Sequence, residues 1–482
     1  MTEPDTSQPE LSEQRNTADR TVSAQARERD FDHGVTFAEA LRLWMKVGLL
    51  SFGGPAGQIA LMHRLIVDEK RWLGEARFLH ALNYCMLLPG PEAQQLATYI
   101  GWLLHGVRGG VAAGLLFFLP GAIVMLTLSV LYVTYAQLTL VNAIFYGVKA
   151  AVLAIVVEAI FRIGRRALKS RLHLSVAAAA FAALFFFAVP FPVIVATAAL
   201  VGFAAERLSP SLSRGRETNA ANRADEGDGL IDRALARGAL PHTKPRALKT
   251  VLTAALWLCI WLLPVAALYL LVGPDNTFTT IGTFFSQMAV VTFGGAYAVL
   301  AYVGQEAVLT HHWLTTPEMM DGLALAETTP GPLILVLQHV GFVAAFRDAA
   351  GLDPYFAGVV GAALTLWVTF MPSFLWIFAG APYAEALRKN AALSAALAAI
   401  TAAVVGVILN LALWFALHVI FAKVDESWFG PLRLYIPDFA TLDGWSLALS
   451  TLAMIALLRL KLGMLYVLAG AATAGLVIKF VT

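Results

Sequence analysis

The feature that most constrains this chain is a set of helix-breaking motifs that occurs twice inside apolar sequence. Phe52-Gly53-Gly54-Pro55, Trp72-Leu73 and Leu88-Pro89-Gly90-Pro91 return as Phe293-Gly294-Gly295-Ala296, Trp313-Leu314 and Thr329-Pro330-Gly331-Pro332, each displaced by 241 positions. Pro120 with Pro372, and Ala150-Ala151-Val152 with Ala402-Ala403-Val404, are displaced by 252, so about 11 residues are inserted in the second copy near Arg347 to Tyr355. Glycines and prolines at matching places in a doubled apolar sequence predict a membrane protein built from internal repeats, the architecture of many secondary transporters.

The solvent of such a chain is lipid. Apolar residues make up 59% of it and charged residues 14%, with a mean hydropathy of +0.70. Soluble domains carry roughly 25% charged residues. A net charge of +2 offers no electrostatic footprint for nucleic acid. The two cysteines, Cys85 and Cys259, both lie in apolar stretches, so neither a disulfide framework nor a structural zinc site is expected. Residues 1–35 are polar, lack the apolar core of a signal peptide and read as a disordered tail.

Stretches long enough to cross the bilayer are predicted at 109–138, 139–161, 172–189, 190–206, 250–272, 355–381, 390–421, 445–460 and 462–481. Four others, 37–67, 78–106, 279–303 and 320–346, are broken near their centres by the repeated motifs. The polar segment 207–249, richer in Arg and Lys than in Asp and Glu, is read as a cytoplasmic linker. The resulting division is a tail (1–35), a first repeat (36–206), the linker, a linking transmembrane helix (250–272) and a second repeat (273–482).

Loop charges assign the sides. Arg162, Arg165, Arg166, Lys169 and Arg171 form a segment without acids, which the positive-inside rule places in the cytoplasm. The matching segment 422–444 sets Lys423 and Arg433 against Asp425, Glu426, Asp438 and Asp443 and reads as external, so the second repeat is expected upside down. If 37–67 crossed once from a cytoplasmic N-terminus, Arg64, Lys70, Arg71 and Arg77 would lie outside, on the wrong side. A hairpin that dips to mid-membrane and returns keeps them inside and leaves the Lys/Arg-free segment 303–318 outside. Re-entrant helical hairpins are therefore expected, with kinked full spans as the alternative. The fold class is an all-α polytopic membrane protein with two inverted-topology repeats.

Gly-Gly and Pro-Gly-Pro cannot continue a helix without losing backbone hydrogen bonds, and in hydrocarbon such a break survives only inside protein or beside water. Proline suits the first position of a new helix, so Pro55 and Pro91 are expected to open one each. Free N–H groups and the positive end of the helix dipole would then face mid-membrane. Two breaks from each copy, at Gly53, Gly54 and Pro55; Pro89, Gly90 and Pro91; Gly294 and Gly295; and Pro330, Gly331 and Pro332, would form a substrate site for an anion made largely of backbone. The competing explanation is that these glycines serve close helix packing.

Intramembrane ionisable residues are costly and tend to be functional. Lys46, less than two turns before the first break, and Lys149, in Gly147-Val148-Lys149-Ala150, are candidate contacts for a dianion; snorkelling of Lys46, or pairing of Lys149 with Glu158 or Glu92, is the alternative. Their counterparts are Gln287 and Thr401, so the site is chemically asymmetric. Glu92, Glu327 and His339 are coupling candidates, Glu92 also being a favoured first-turn acid. Gln94, Gln95, Thr98, Thr328, Thr329 and Gln338 are neutral donors, free to bond either an oxyanion or another helix, and His311-His312 reads as a solvated loop pair. No nucleotide-binding loop, nucleophile elbow or zinc-protease motif occurs, so no enzyme activity is expected and transport would be driven by ion gradients or potential.

Ser51-Phe52-Gly53-Gly54-Pro55, Trp72-Leu73 and Leu88-Pro89-Gly90-Pro91-Glu92-Ala93-Gln94-Gln95-Leu96-Ala97-Thr98-Tyr99-Ile100-Gly101 resemble the signature of the chromate ion transporter family. Phe293-Gly294-Gly295 and Thr329-Pro330-Gly331-Pro332 resemble its C-terminal domain, and the likeness covers about residues 37–482. Two positions depart from it: Glu92, where many members carry a small polar residue, and Ala296, in place of the proline of the first copy. The resemblance implies two oppositely oriented halves in the bacterial inner membrane, a cytoplasmic N-terminus, and export of chromate that confers chromate resistance. Expected partners are a chromate- or sulfate-like dianion and the lipid bilayer, with a homodimer left open; no nucleic acid, cofactor or metal is expected. A sulfate or related oxyanion carrier is the alternative within transport, and a membrane sensor or scaffold without flux the alternative outside it.

Overall fold

Why each apolar stretch stops where it does is visible in its capping groups. The computed structural model describes residues 33–52, 54–208, 229–237, 239–243, 245–293, 296–384 and 390–481. The expected tail up to residue 32, residues 209–228 of the linker, and Gly53, Gly294 and Gly295 lie outside the described residues. Helix α1 (Phe37–Leu50) opens on the Thr36 hydroxyl, which accepts from Glu39 N at 3.2 Å, and closes at Ser51, whose hydroxyl donates back to Val47 O at 2.7 Å. Helix α2 (Gly54–His63) follows and widens into a π turn over Arg64–Glu69. Helix α3 (Glu75–Cys85) runs to the second break, after which α4 (Glu92–Tyr135) begins.

Helix α4 is two helices. His105 (φ −133°, ψ 31°) and Gly106 (φ 59°, ψ −150°) leave helical geometry, and the chain doubles back. A Cβ at Gly101 would lie 2.6 Å from that of Ala113, and one at Gly110 would lie 3.0 Å from Thr98 O, so glycines let the two arms touch. Then come α5 (Thr139–Ala167), α6 (Arg171–Phe187), α7 (Phe191–Leu208), the short α8 (Leu230–Ala236) and α9 (Ala247–Leu271).

The second half repeats this order. Helix α10 (Thr277–Val291) is capped by Asn276 and ends at Thr292, whose hydroxyl donates to Met288 O at 2.5 Å, matching Ser51. Next are α11 (Ala296–Gln305) with a π turn over Glu306–Thr310, α12 (Thr316–Thr328), a 3-10 turn over Leu333–Leu335 and α13 (Val336–Arg347). Residues 348–353 then lead to α14 (Pro354–Gly380), where the first half has only the His105-Gly106 turn; this is the insertion expected near Arg347. Helices α15 (Ala391–Ile420), α16 (Gly444–Leu458) and α17 (Met464–Val481) complete the bundle.

The fold is that of an all-α polytopic membrane protein. Among the described residues seven helices are long and apolar enough to cross a membrane: α4, α5, α7, α9, α14 (through Tyr383), α15 and α17. The expected spans 172–189 and 445–460 appear as helices of 17 and 15 residues. At 1.5 Å per residue, α1 (14 residues) and α10 (15 residues) fall short of the roughly 30 Å hydrocarbon layer.

In two of the broken stretches, 37–67 and 320–346, residues at or beside the two ends are in contact. Lys70 Nζ, past the end of α2, meets Glu39 Oε1 at the start of α1 at 2.8 Å. His33 Nε2 lies 2.6 Å from Leu104 O, and His105 Nε2 3.0 Å from Val35 O, so the end of the first α4 arm joins them. In the second half Arg347, ending α13, donates to Trp313 O at 2.7 Å and pairs with Glu318 of α12 at 2.6 Å, while Thr277 of α10 bonds Asp348. Helix α8 docks on the first group: Asp232 accepts from Gly74 N at 2.7 Å and from Arg77 Nε at 2.9 Å.

One element was read from sequence only as a loop. Within 422–444, β1 (Val424–Phe429) pairs antiparallel with β2 (Leu432–Pro437) around Gly430, at φ +62°. The buried Arg433 donates to Leu184 O at 2.7 Å and Phe185 O at 3.2 Å, satisfying carbonyls that the end of α6 leaves open. Asp443 accepts from Tyr146 of α5 at 2.7 and 2.9 Å. Tyr146 lies near the start of α5, so 422–444 sits at the end of α5 opposite Arg162–Arg171.

Candidate functional site

Where the four breaks meet, the two halves are tied by a matched pair of backbone bonds. Gly90 N donates to Thr292 O at 2.8 Å, and Gly331 N donates to Ser51 O at 2.7 Å. In each bond the Pro-Gly-Pro of one half caps the open C-terminus of the first half-helix of the other. Both glycines have positive φ, +120° and +100°, a conformation that strains an L side chain. A Cβ at Gly90 would stand 3.2 Å from Ser373 Oγ, and one at Gly331 would stand 3.6 Å from Gly121 Cα; Gly121 and Ser373 are themselves equivalent positions. Three of the four expected breaks (Gly54-Pro55, Pro89-Gly90-Pro91 and Pro330-Gly331-Pro332) thus lie around one locus with Ser51 and Thr292. Gly53, Gly294 and Gly295 are outside the described residues.

The helix starts at this locus differ from expectation in detail. Pro55 is the second residue of α2, whereas Pro91 is the cap preceding α4 and Pro332 the cap preceding the turn at Leu333. The first intrahelical bond of α4 is Gln95 N to Pro91 O at 3.0 Å, and that of the second copy is Leu335 N to Pro332 O at 2.9 Å. The N–H groups of Glu92, Ala93 and Gln94, and those of Leu333 and Ile334, precede those bonds and have no intrahelical acceptor. The N–H groups of Gly90 and Gly331 are occupied by the interlock.

Buried amides surround the locus. Gln58 donates to Gly331 O at 2.6 Å, Gln95 to Pro89 O at 2.6 Å, Gln338 to Ala122 O at 3.0 Å, and Gln94 to Thr98 Oγ1 at 3.2 Å. Each NH₂ carries a second hydrogen beyond the one used here. Sequence reasoning singled out Gln94, Gln95, Thr98 and Gln338; it missed Gln58 and Ser373, which carry no motif beyond one polar residue in an apolar helix. Thr329 donates to Leu325 O at 2.7 Å and Thr328 to the same carbonyl at 2.9 Å.

The ionisable candidates are distributed around the locus and not gathered in it. Glu92 is the half-buried first residue of α4, and Glu327 accepts from Tyr297 OH at 2.8 Å. Lys46 is exposed and lines a groove of 580 Å³ with Thr36, Glu39, Arg42, Glu69 and Lys70, between α1 and the π turn. Lys149 pairs with neither Glu158 nor Glu92: its Nζ lies 3.2 Å from Asp321 Oδ1, across the two halves, and Glu158 pairs with Arg162 at 3.3 Å. Tyr132 OH donates to the other Asp321 oxygen at 2.9 Å, and His339 Nδ1 lies 2.9 Å from Ser129 Oγ. Asp321, Tyr132 and Ser129 escaped the sequence reading; Asp321 is second in the stretch 320–346 and reads there as a loop-end acid. Outside the membrane-spanning segments, burial pushes the His242 imidazole down to about 4, where its ring packs edge-on against Trp102 at 5.0 Å. Among the described residues no group of three or more His, Cys, Asp or Glu is arranged to hold a metal ion.

The family model described as "Chromate transporter" matches residues 38–203 and 279–476, which are the two halves described above. A chromate transport protein of Pseudomonas aeruginosa is 31% identical over 365 residues, 75% of this chain and 76% of that protein. A chromate transport protein of Cupriavidus metallidurans is 26% identical over 75% of this chain and 78% of its own length. An uncharacterised transporter of Methanocaldococcus jannaschii is 25% identical over 72% and 76%. No solved structure matches the chain.

Proposed function

This chain belongs to the chromate transporter family, and on that premise we propose that it is a secondary transporter that exports chromate, a tetrahedral dianion, across the bacterial inner membrane and so confers chromate resistance. The observation that carries this reading is the interlock of Gly90 with Thr292 and of Gly331 with Ser51. It draws the helix breaks of both halves to one locus, where first-turn N–H groups and helix dipoles favour an anion.

In this reading the two halves, 36–206 and 273–482, are inverted-topology repeats joined by the linker 207–249 and the helix 250–272, and the broken stretches are re-entrant hairpins. The contacts Glu39–Lys70 and Glu318–Arg347 support the hairpins, since each joins two ends of broken stretches in one half. Tyr146–Asp443 supports the inversion. The backbone around Gly53, Gly54 and Pro55, Pro89 to Pro91, Gly294 and Gly295, and Pro330 to Pro332 forms the substrate site. Lys46, in its groove, and Lys149 supply cationic contacts, and Glu92, Glu327 and His339 are the groups available for coupling. The N-terminus lies in the cytoplasm, with Arg162–Arg171 on the same side.

The test is chromate flux into inverted membrane vesicles under an imposed potential or pH gradient. Wild-type vesicles should accumulate chromate, and Lys149→Ala should lower accumulation at least tenfold with the protein still in the membrane. Absence of flux in wild-type vesicles would overturn the transport reading; undiminished flux in Lys149→Ala would remove Lys149 from the site. Sulfate shares chromate's charge and tetrahedral shape, so competition by unlabelled sulfate separates a chromate exporter from a broader oxyanion carrier.

A further inference from the structure

Lys149, the intramembrane cation of the proposed site, is already occupied by an acid from the other half. Asp321 is in α12 and its side chain is 8% exposed, whereas that of Lys149 in α5 is 24% exposed. The two approach to 3.2 Å, an ion pair across the two halves. Its second oxygen accepts from Tyr132 OH at 2.9 Å. The Tyr132 ring stands edge-on to His339 at 5.2 Å, and Ser129 bonds His339 Nδ1, so α4 and α13 meet behind the carboxylate. Gly322, next to Asp321, makes room: a Cβ there would lie 2.7 Å from the His339 ring. The equivalents of Asp321, Tyr132 and Lys149 by repeat displacement are His80, Ala384 and Thr401, so this arrangement exists once.

We infer that Asp321 is a built-in competitor of the transported oxyanion: it neutralises Lys149 while the site is empty and yields the lysine by taking up a proton when the anion binds. The inference rests on the oxyanion reading above. A carboxylate released from Lys149 in this buried setting would be left as an unpaired charge, which costs far more than a neutral acid. One proton from water therefore joins Asp321, Lys149 keeps its own, and the anion takes the carboxylate's place. Binding of anion and proton are then linked, and each must favour the other by the same factor. The other titratable or charged groups nearby are Tyr132 on α4, His339 on α13, and Glu318 with Arg347 at the mouth of α12; Glu318 and Arg347 pair with each other at 2.6 Å.

The experiment measures sulfate binding to the purified full-length protein between pH 5 and 8, a range in which sulfate stays a dianion while chromate itself takes up a proton, together with chromate binding at pH 8. Wild-type affinity should rise as pH falls, by up to about tenfold per unit for one linked proton. Asp321→Asn, which mimics the protonated acid, should bind tightly at every pH with a flat profile. Tyr132→Phe withdraws a hydrogen bond from the carboxylate and should move the profile to higher pH, and His339→Gln should keep its pH dependence. A wild-type slope persisting in Asp321→Asn, or vanishing in His339→Gln, would overturn the inference while leaving the oxyanion reading intact. Should Asp321→Asn not fold, an unmoved profile in Tyr132→Phe would overturn it equally. Failure of wild-type protein to bind either anion at any pH would remove the oxyanion reading and this inference together.

Discussion

At the scale of single residues, the site is built from atoms that glycine leaves out. Gly331 sits at φ +100° with Leu335 Cδ1 3.1 Å from where a Cβ would be, whereas Gly54, at φ +69°, has open space there. Gly331→Ala should therefore cost both backbone strain, about 1–3 kcal/mol, and displacement of Leu335; Gly54→Ala should cost strain alone. Thermal unfolding in detergent should rank them in that order, and equal midpoints would mean that the break at Gly331 relaxes freely. Both glycines were legible in the sequence because Gly-Gly-Pro and Pro-Gly-Pro breaks are local properties of the chain. What Gly331 bonds to was not, since Ser51 lies in the other half and its carbonyl carries no side-chain signature. Asp321 was hidden for the same reason: its meaning comes from Lys149, a residue that sequence periodicity cannot bring to it.

At the scale of elements, the long spans follow from hydrophobic length, but their anchoring depends on polar ends. Asp443 caps α16 through Trp445 N and Ser446 N, each at 3.0 Å, while also holding Tyr146 of α5. Burial alone would push this carboxyl up, but the donors from Ser446, Tyr146 and Trp445 outweigh it and hold it below the ordinary carboxylate range. A depressed native pKa stabilises the fold above the unfolded value, roughly 3.9, and that contribution is lost as pH falls through the native value. Asp443→Ala should lower stability by about 1–2 kcal/mol at neutral pH, and the gap from wild type should close only below about pH 4. A gap that stays constant into acid would show that the ionised cap contributes nothing. The β1–β2 pair beside it was not foreseen, because acids and aromatics on two six-residue strands give no clean alternation of burial.

At the scale of the whole molecule, the contacts make the expected sidedness testable. Residues 33–39, 70–77, 104–105 and the docked α8 gather at one end, through Glu39–Lys70, His33–Leu104 and Asp232–Arg77. Trp313, Glu318 and Arg347, with Thr277 and Asp348, gather in the second half. Arg71 and Arg237 share one face in either case, since Leu230 N and Ile231 N of α8 donate to Arg71 O and Trp72 O at 3.2 and 3.0 Å. If α1 and α2 form a hairpin that face is cytoplasmic, and if they form one kinked span it is external. Cysteines placed at Arg71, Arg237 and His312 in a chain whose Cys85 and Cys259 are replaced should divide cleanly under a membrane-impermeant maleimide. Arg71→Cys and Arg237→Cys should label in inverted vesicles and be silent in intact cells, and His312→Cys should do the reverse. Labelling of Arg71→Cys from outside would turn the first broken stretch into a crossing. The interlock at Gly90 and Gly331 would then join two kinked spans. With both broken stretches of each half crossing, the number of crossings between the halves stays odd, so the two halves would share the anion site as inverted copies built from spans and not from hairpins.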